Sequence, residues 1–251
     1  MKGFRTALSF LTRVPVSGST DIACAVPWFA LVGALVSAAT AAMYAGAHWL
    51  VPPLPAATIA VMAAVMLTGA FHEDGLGDMA DAFWGGYTAE RRIEILKDSR
   101  QGTFGVLALA LDTVLRVALI ASLKPAAAFG ALIAAGAIGR GSAVLLMGMT
   151  PPAADTGLGS AYLQAITRRG VVVGLGSTVV IAVVGMAGWA GPALAAGLIT
   201  ALAVRHLAVV KIGGVVGDVL GATARLSEQA ALVVSAAVVH RGSQTIAWWP
   251  Q

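Results

Sequence analysis

Apolar blocks about twenty residues long, separated by short polar connections, run through most of this chain. Seven are read at about 28 to 51, 54 to 72, 103 to 123, 126 to 149, 171 to 190, 192 to 212 and 219 to 240. At about 1.5 Å per residue, a block of about 20 residues covers a hydrocarbon core of about 30 Å. In lipid every backbone N–H and C=O must find an internal partner. Blocks this long and this rich in Ala and Leu are not barrel strands, so each is predicted to be a helix. The expected fold is all-α: a polytopic integral membrane helical bundle of about seven transmembrane helices. The seventh is the weakest, because Asp218, Arg225 and Glu228 lie at or inside its first half.

Composition agrees with that pattern. Hydrophobic residues make up 58% of the 251 residues, charged residues 11%, and the mean hydropathy is +0.85, which excludes an ordinary soluble domain. A net charge of +4 would suggest nucleic acid in a soluble protein. Here the basic residues report topology, and the expected surroundings are a lipid bilayer with no nucleic acid. Lys2, Arg5, Arg13, Arg91, Arg92, Lys97, Arg100, Arg168, Arg169 and Lys211 fall on one side of the blocks, against Lys124 and Arg241 on the other. The positive-inside bias predicts a bacterial cytoplasmic membrane protein with its N-terminus and the 73–102 loop in the cytoplasm. The N-terminal MKGFRTALSFLTRVPV is basic and amphipathic, lacks a cleavage signal, and is expected to lie on the membrane surface. The lone Cys24 excludes an internal disulfide. No linker or repeat divides the chain, so residues 1–251 are read as one catalytic membrane domain.

The polar residues that remain are concentrated. His72 to Asp81, HEDGLGDMAD, carries four carboxylates in ten residues. On a helix Asp74, Asp78 and Asp81, spaced i, i+4, i+7, fall within about 60° of one another. Such a face repels itself unless a cation joins it, and hard divalent ions such as Mg²⁺ take carboxylate oxygen while keeping sites open for phosphate. A plain acidic helix N-terminus answering the macrodipole is the alternative. His72 opens the cluster as a partner of the ligands or a proton acceptor.

After the acids, Thr88 is placed to cap a short helix, TAERRIEILKD, whose apolar side should rest on the membrane surface. KDSRQGTFG follows, where Lys97, Ser99 and Arg100 with two glycines suit an anion such as phosphate. A second glycine-rich knot, KIGGVVGDVLGA, offers Lys211 and Asp218 to the ions and phosphates of the first cluster, unless it is a packing turn with a capping Asp. Within the blocks, Asp112 and Arg116 are read as an i, i+4 ion pair, and Arg140 as the partner of a phosphate or an interhelical acid.

These segments in this order resemble the cobalamin synthase family, the adenosylcobinamide-GDP ribazoletransferases. FHEDGLGDMAD matches its H-x-D-G-L-x-D-x-x-D, RRIEILKDSRQGTFG its R-R-x-E-I-[LM]-K-D-S-R-x-G-T-F-G, and GGVVGDVLGA a third block. Glu73 replaces a usually apolar residue, Gln101 a usually aliphatic one, and Ala82 a common Gly. The resemblance implies a Mg²⁺-dependent transfer from adenosylcobinamide-GDP to α-ribazole or its 5′-phosphate, giving adenosylcobalamin or its 5′-phosphate and GMP. Asp74, Asp78, Asp81 and Asp218 would hold the metal, and Lys97, Arg100 and Arg140 the pyrophosphate. His72 or a free Asp would take the ribose proton. A homo-oligomer is allowed for. Two other readings compete: a cation-coupled transporter, and a Mg²⁺-dependent transferase of the phospholipid-synthase kind, whose D-G-x-x-A-R continuation is missing here.

Overall fold

The computed structural model describes residues 2–19, 21–153, 163 and 166–242. Among the described residues there are ten α-helices: α1 Lys2–Leu11, α2 Phe29–His48, α3 Pro53–Thr68, α4 Phe71–Gly85, α5 Ala89–Ile95, α6 Thr103–Ala121, α7 Pro125–Met149, α8 Arg168–Met186, α9 Ala190–Ile212 and α10 Gly217–His240. The sole β feature among them is one isolated bridge between Pro152 and Val215. The all-α expectation therefore holds.

α7 is the central post. α2, α8, α9 and α10 all pack on it, and its small residues explain how four helices fit. Gly136 lies against Gly33 and Ser37, Gly141 against Thr178, Gly139 against Ala224, and Ile138 beside Gly197. Without side-chain bulk at these points the backbones approach closely, which is what holds apolar helices together where water supplies no driving force. The same contacts give directions. Residues 148, 141 and 130 of α7 meet 171, 178 and 185 of α8, so those two helices are antiparallel. Residue 138 meets Gly197 and Thr150 meets Arg205, so α9 runs with α7. The Arg168–Ile212 run therefore doubles back, at a 3₁₀ turn over Ala187–Trp189 where Ala187 has φ of 49°.

By length and apolarity four segments qualify as membrane spans: Ile22–His48, Thr103–Ala121, Pro125–Met149 and the Arg168–Ile212 run. The pair α3 and α4, bent by 89°, makes a fifth if taken as one broken span. This bend corrects the predicted 54–72 block. Gly69 (φ 65°) and Ala70 (φ 59°) are both left-handed, which stops α3 at Thr68 and turns the chain sideways before His72. For a non-glycine residue such as Ala70 that conformation costs about 1 to 2 kcal/mol. Arg13 steadies the corner: its N–H donates to the Leu67 carbonyl at 2.8 Å and its guanidinium lies against Gly69. The N-terminal segment is helical over Lys2–Leu11. Phe10, near the end of α1, stacks on Phe29 and meets Phe71 edge-on, tying α1 to α2 and α4.

Candidate active site

α4 carries the acid cluster as a helix, with Asp74 exposed, Asp78 half-buried and Asp81 buried. It crosses the start of α10 at Gly75, where a Cβ would lie 2.7 Å from the carbonyl oxygen of Asp218. Only glycine permits that approach, and the approach brings Asp218 to the acids. Asp78 and Asp74 lie close enough to Asp218 for the three carboxylates to repel one another. The Asp78 carboxyl is raised, by burial first and then by Asp74 and Asp81, against the lowering effect of a hydrogen bond from Gln101. Asp218 thus lies beside the first cluster, and among the described residues no Lys or Arg is ion-paired with Asp74, Asp78 or Asp218.

Asp81 stands apart from them. Its carboxylate accepts from the Gly102 N–H at 2.6 Å and the Gly105 N–H at 2.9 Å, satisfying orphan donors at the start of α6. Gln101 Nε2 donates to Asp78 at 2.6 Å beside it. The acid helix is therefore clipped directly to the KDSRQGTFG segment. Among the described residues no three His, Cys, Asp or Glu side chains are closed around one point as a ligand group. The donor chemistry of Asp74, Asp78 and Asp218 nonetheless suits a hard cation, because each is all-oxygen and their mutual repulsion is relieved by one. Mg²⁺ keeps several waters and needs few direct carboxylates.

The basic residues divide into two kinds. Thr88 caps α5 as expected, accepting from the Arg91 N–H at 3.2 Å. Lys97, Ser99 and Arg100 are exposed beyond it, and Arg100 pairs with Asp98 at 2.7 Å. That leaves them within the solvent-facing edge of the loop next to Gln101 and Asp78. The apolar side of α5, expected on the membrane surface, instead packs Ile93, Ile95 and Leu96 on protein, in the cluster of Phe83, Ile212 and Val215. Lys211 is not brought to the acids. Its Nζ donates to the Phe83 carbonyl at 2.5 Å and lies over the rings of Phe83 and Trp84, capping the far end of α4. Arg92 does the same for α9, donating to the Lys211 carbonyl at 3.0 Å. Cations at helix C-termini satisfy free carbonyls and answer the dipole, and both residues were read from sequence only as charges on one membrane face or near a phosphate.

Arg140 and His72 are sealed inside. Arg140 is 5% exposed and pairs with Glu228, so of its two expected partners the interhelical acid is the one present. His72, also 5% exposed, lines a cavity of about 70 Å³ with Phe10, Phe29, Phe71, Arg140 and Met147. The expected i, i+4 pair of Asp112 and Arg116 does not form. Both turn inward to other helices, where burial makes a direct counter-ion worth more than a local one: Asp112 pairs with Arg225 at 2.8 Å, and Arg116 with Glu228 at 3.0 Å and Glu73 at 3.4 Å. Gln229 adds a hydrogen bond to Asp112 at 3.0 Å. Of the three charges that made the seventh block look weak, Arg225 and Glu228 are the inward face of a 24-residue helix and Asp218 lies in its first turn.

Comparison with known proteins bears on this arrangement. The family described as cobalamin-5-phosphate synthase matches residues 3–236. A protein of Azorhizobium caulinodans named adenosylcobinamide-GDP ribazoletransferase is 40% identical over 246 residues, covering 90% of this chain and 92% of the relative. Proteins of the same name from Syntrophobacter fumaroxidans and Bradyrhizobium diazoefficiens are 38% and 39% identical, each across 93% of this chain and 97% and 92% of their own lengths. No solved structure matches. A match over nearly the whole chain, to the pattern and to full-length relatives alike, places this protein in the cobalamin-5-phosphate synthase family.

Proposed function

We propose that this chain transfers the phosphorylated cobinamide of adenosylcobinamide-GDP to a ribose hydroxyl of α-ribazole or its 5′-phosphate. The products are adenosylcobalamin or its 5′-phosphate and GMP. The observation that carries the proposal is the gathering of Asp74, Asp78 and Asp218 at one mouth of the bundle, with no Lys or Arg among the described residues ion-paired to them, and clipped through Asp78 and Asp81 to a basic, glycine-rich segment. Relatives of the same length carry the name of this reaction.

Phosphoryl transfer asks for positioning and charge neutralisation more than for covalent help. Mg²⁺, held by Asp74, Asp78 and Asp218, would neutralise the pyrophosphate oxygens and the charge that develops on departing GMP. Lys97 and Arg100, exposed at the rim, bind the remaining phosphate oxygens. Arg140 is withdrawn from that role by Glu228. Of the groups expected to accept the ribose proton, His72 is enclosed by aromatic rings and Arg140, which leaves the aspartates. The intramembrane acids on which a transporter reading relied are each paired with arginine.

The membrane arrangement we infer reads the Arg168–Ile212 run as doubled back, α3 as a crossing by itself and α10 as one by its length, so that α2, α3, α6, α7, α8, α9 and α10 would be seven crossings. On that reading α4, α5 and the acid mouth lie in the cytoplasm, on the side with ten Lys and Arg against two. A cysteine at Thr88 should resist an impermeant reagent in intact cells while one at Ser122 reacts; the opposite pattern reverses the orientation. For the activity itself, the purified protein in detergent is given adenosylcobinamide-GDP, α-ribazole 5′-phosphate and Mg²⁺. GMP release that requires both organic substrates is expected, and its absence from active-folded protein refutes the assignment.

A further inference from the structure

The buried charges take no direct part in the reaction above, yet they are balanced in sign. Arg116, Arg140 and Arg225 meet Glu73, Asp112 and Glu228, three charges of each sign, in ion pairs linking α4, α6, α7 and α10. Five of the six side chains come from membrane blocks. Glu73 alone comes from α4, and it stands immediately before Asp74.

α4 needs such a tie. It leaves α3 through an 89° bend over two left-handed residues, so no continuous helix sets its direction. Its later turns are fixed by Asp81 on the start of α6, and its middle by Gly75 against Asp218. The first turn is fixed by Glu73, whose Oε1 lies 3.4 Å from Arg116 and 3.7 Å from Arg225. Removing that carboxylate leaves three guanidinium groups against two acids in a low-dielectric interior. An unbalanced buried charge is far costlier than a balanced one, and the first turn of α4 loses its ionic tie, keeping the ring contact of Phe71 with Phe10.

We infer that Glu73 is a positioning residue: held between Arg116 and Arg225, it fixes the first turn of α4 and thereby the placement of Asp74 opposite Asp218. The role in catalysis rests on the reading of these acids as the transfer site, but the anchoring does not. Two readouts keep them apart. The first is hydrogen–deuterium exchange of the 71–85 backbone in purified protein, which needs no substrate. The second is the split between kcat and KM for adenosylcobinamide-GDP.

Glu73→Gln keeps the volume and removes the charge. It should speed exchange in 71–85 and lower kcat about tenfold to a hundredfold, as misplacement of about 1 Å does, with KM changed less than about twofold because Lys97 and Arg100 are untouched. Glu73→Gln combined with Arg116→Gln restores a balance of two charges of each sign. It should recover the thermal stability that the unbalanced charge costs, while exchange in 71–85 stays fast and kcat stays low because the tie itself is gone. Wild-type exchange and kcat in Glu73→Gln overturn the inference, as does a double variant with wild-type exchange and kcat. If Glu73→Gln does not accumulate, Glu73→Asp, which keeps the charge and draws it back by one methylene, is read in its place: faster exchange in 71–85 supports the anchor, and wild-type exchange overturns it. Wild-type protein that releases no GMP counts against the transfer reading only, and exchange then decides the anchor by itself.

Discussion

Two groups of charged side chains meet on α4 and follow opposite rules. Inward, Glu73 joins two further carboxylates that are matched by three arginines, all within a few ångströms and nearly out of reach of water. Outward, Asp74 and Asp218 lie beside Asp78, whose carboxyl is raised by burial first and then by its acidic neighbours, and among the described residues no arginine or lysine is ion-paired with any of the three. The matched group has spent its charge on holding four helices together. The unmatched group keeps its charge, and on the proposed reading these acids at the rim of the bundle are where a cation and the phosphates it carries would bind. Charge that is compensated reads as structure, and charge that is not reads as chemistry.

The comparison breaks first at Arg225, which is 1% exposed and bonds Asp112 at 2.8 Å. Arg225→Met leaves Asp112 unpaired in the interior, so about 3 to 5 kcal/mol of stability should be lost. Thermal unfolding in detergent reads this, and a wild-type midpoint would mean that the matched group is not holding the bundle. The outward group should respond in the other sense. Asp74→Asn and Asp78→Asn each remove repulsion, so stability should be kept or raised while transfer falls by more than about a hundredfold, beyond what loss of a supporting contact to a metal ligand costs. Turnover at the wild-type rate in either variant strikes that residue from the site.

A smaller effect is expected at the rim. Lys97→Gln and Arg100→Gln each delete one of ten charges on the cytoplasmic side, so insertion should not change. Loss of a charge-assisted phosphate contact should weaken use of adenosylcobinamide-GDP by about 1.5 to 3 kcal/mol, roughly tenfold to a hundredfold, with little effect on α-ribazole. Kinetics with each substrate varied in turn make the distinction. Unchanged constants for the nucleotide substrate would return this loop to a charged membrane boundary.

Much of this was legible beforehand, for definite reasons. The i, i+4, i+7 spacing of Asp74, Asp78 and Asp81 held because helical periodicity is a local property, and the glycines around Asp218 marked a close crossing before its partner was known. The partner of Asp81 was not legible, because spacing puts a side chain on a face without saying what abuts that face; here it is the N-terminus of α6. The contact of Lys211 with the end of α4 was hidden for the same reason. The buried network was hidden by pairing Asp112 with its nearest neighbour in sequence. One signal was available: Asp112, Arg116, Arg140, Arg225 and Glu228 sum to a net charge of +1 within apolar blocks, which calls for one more acid, and Glu73 is the nearest unusual one.

The central claim, that the unmatched carboxylates form a cation site and the matched ones do not, is tested most directly by Mn²⁺ binding to metal-free protein, followed by electron paramagnetic resonance and competed with Mg²⁺. Wild type should immobilise Mn²⁺ at a site that Mg²⁺ displaces. Asp78→Asn should weaken it at least tenfold, whereas Asp81→Ala, which loses a helix cap worth about 0.5 to 2 kcal/mol of stability, should bind as wild type does. Equal Mn²⁺ affinity in wild type and Asp78→Asn would contradict the account.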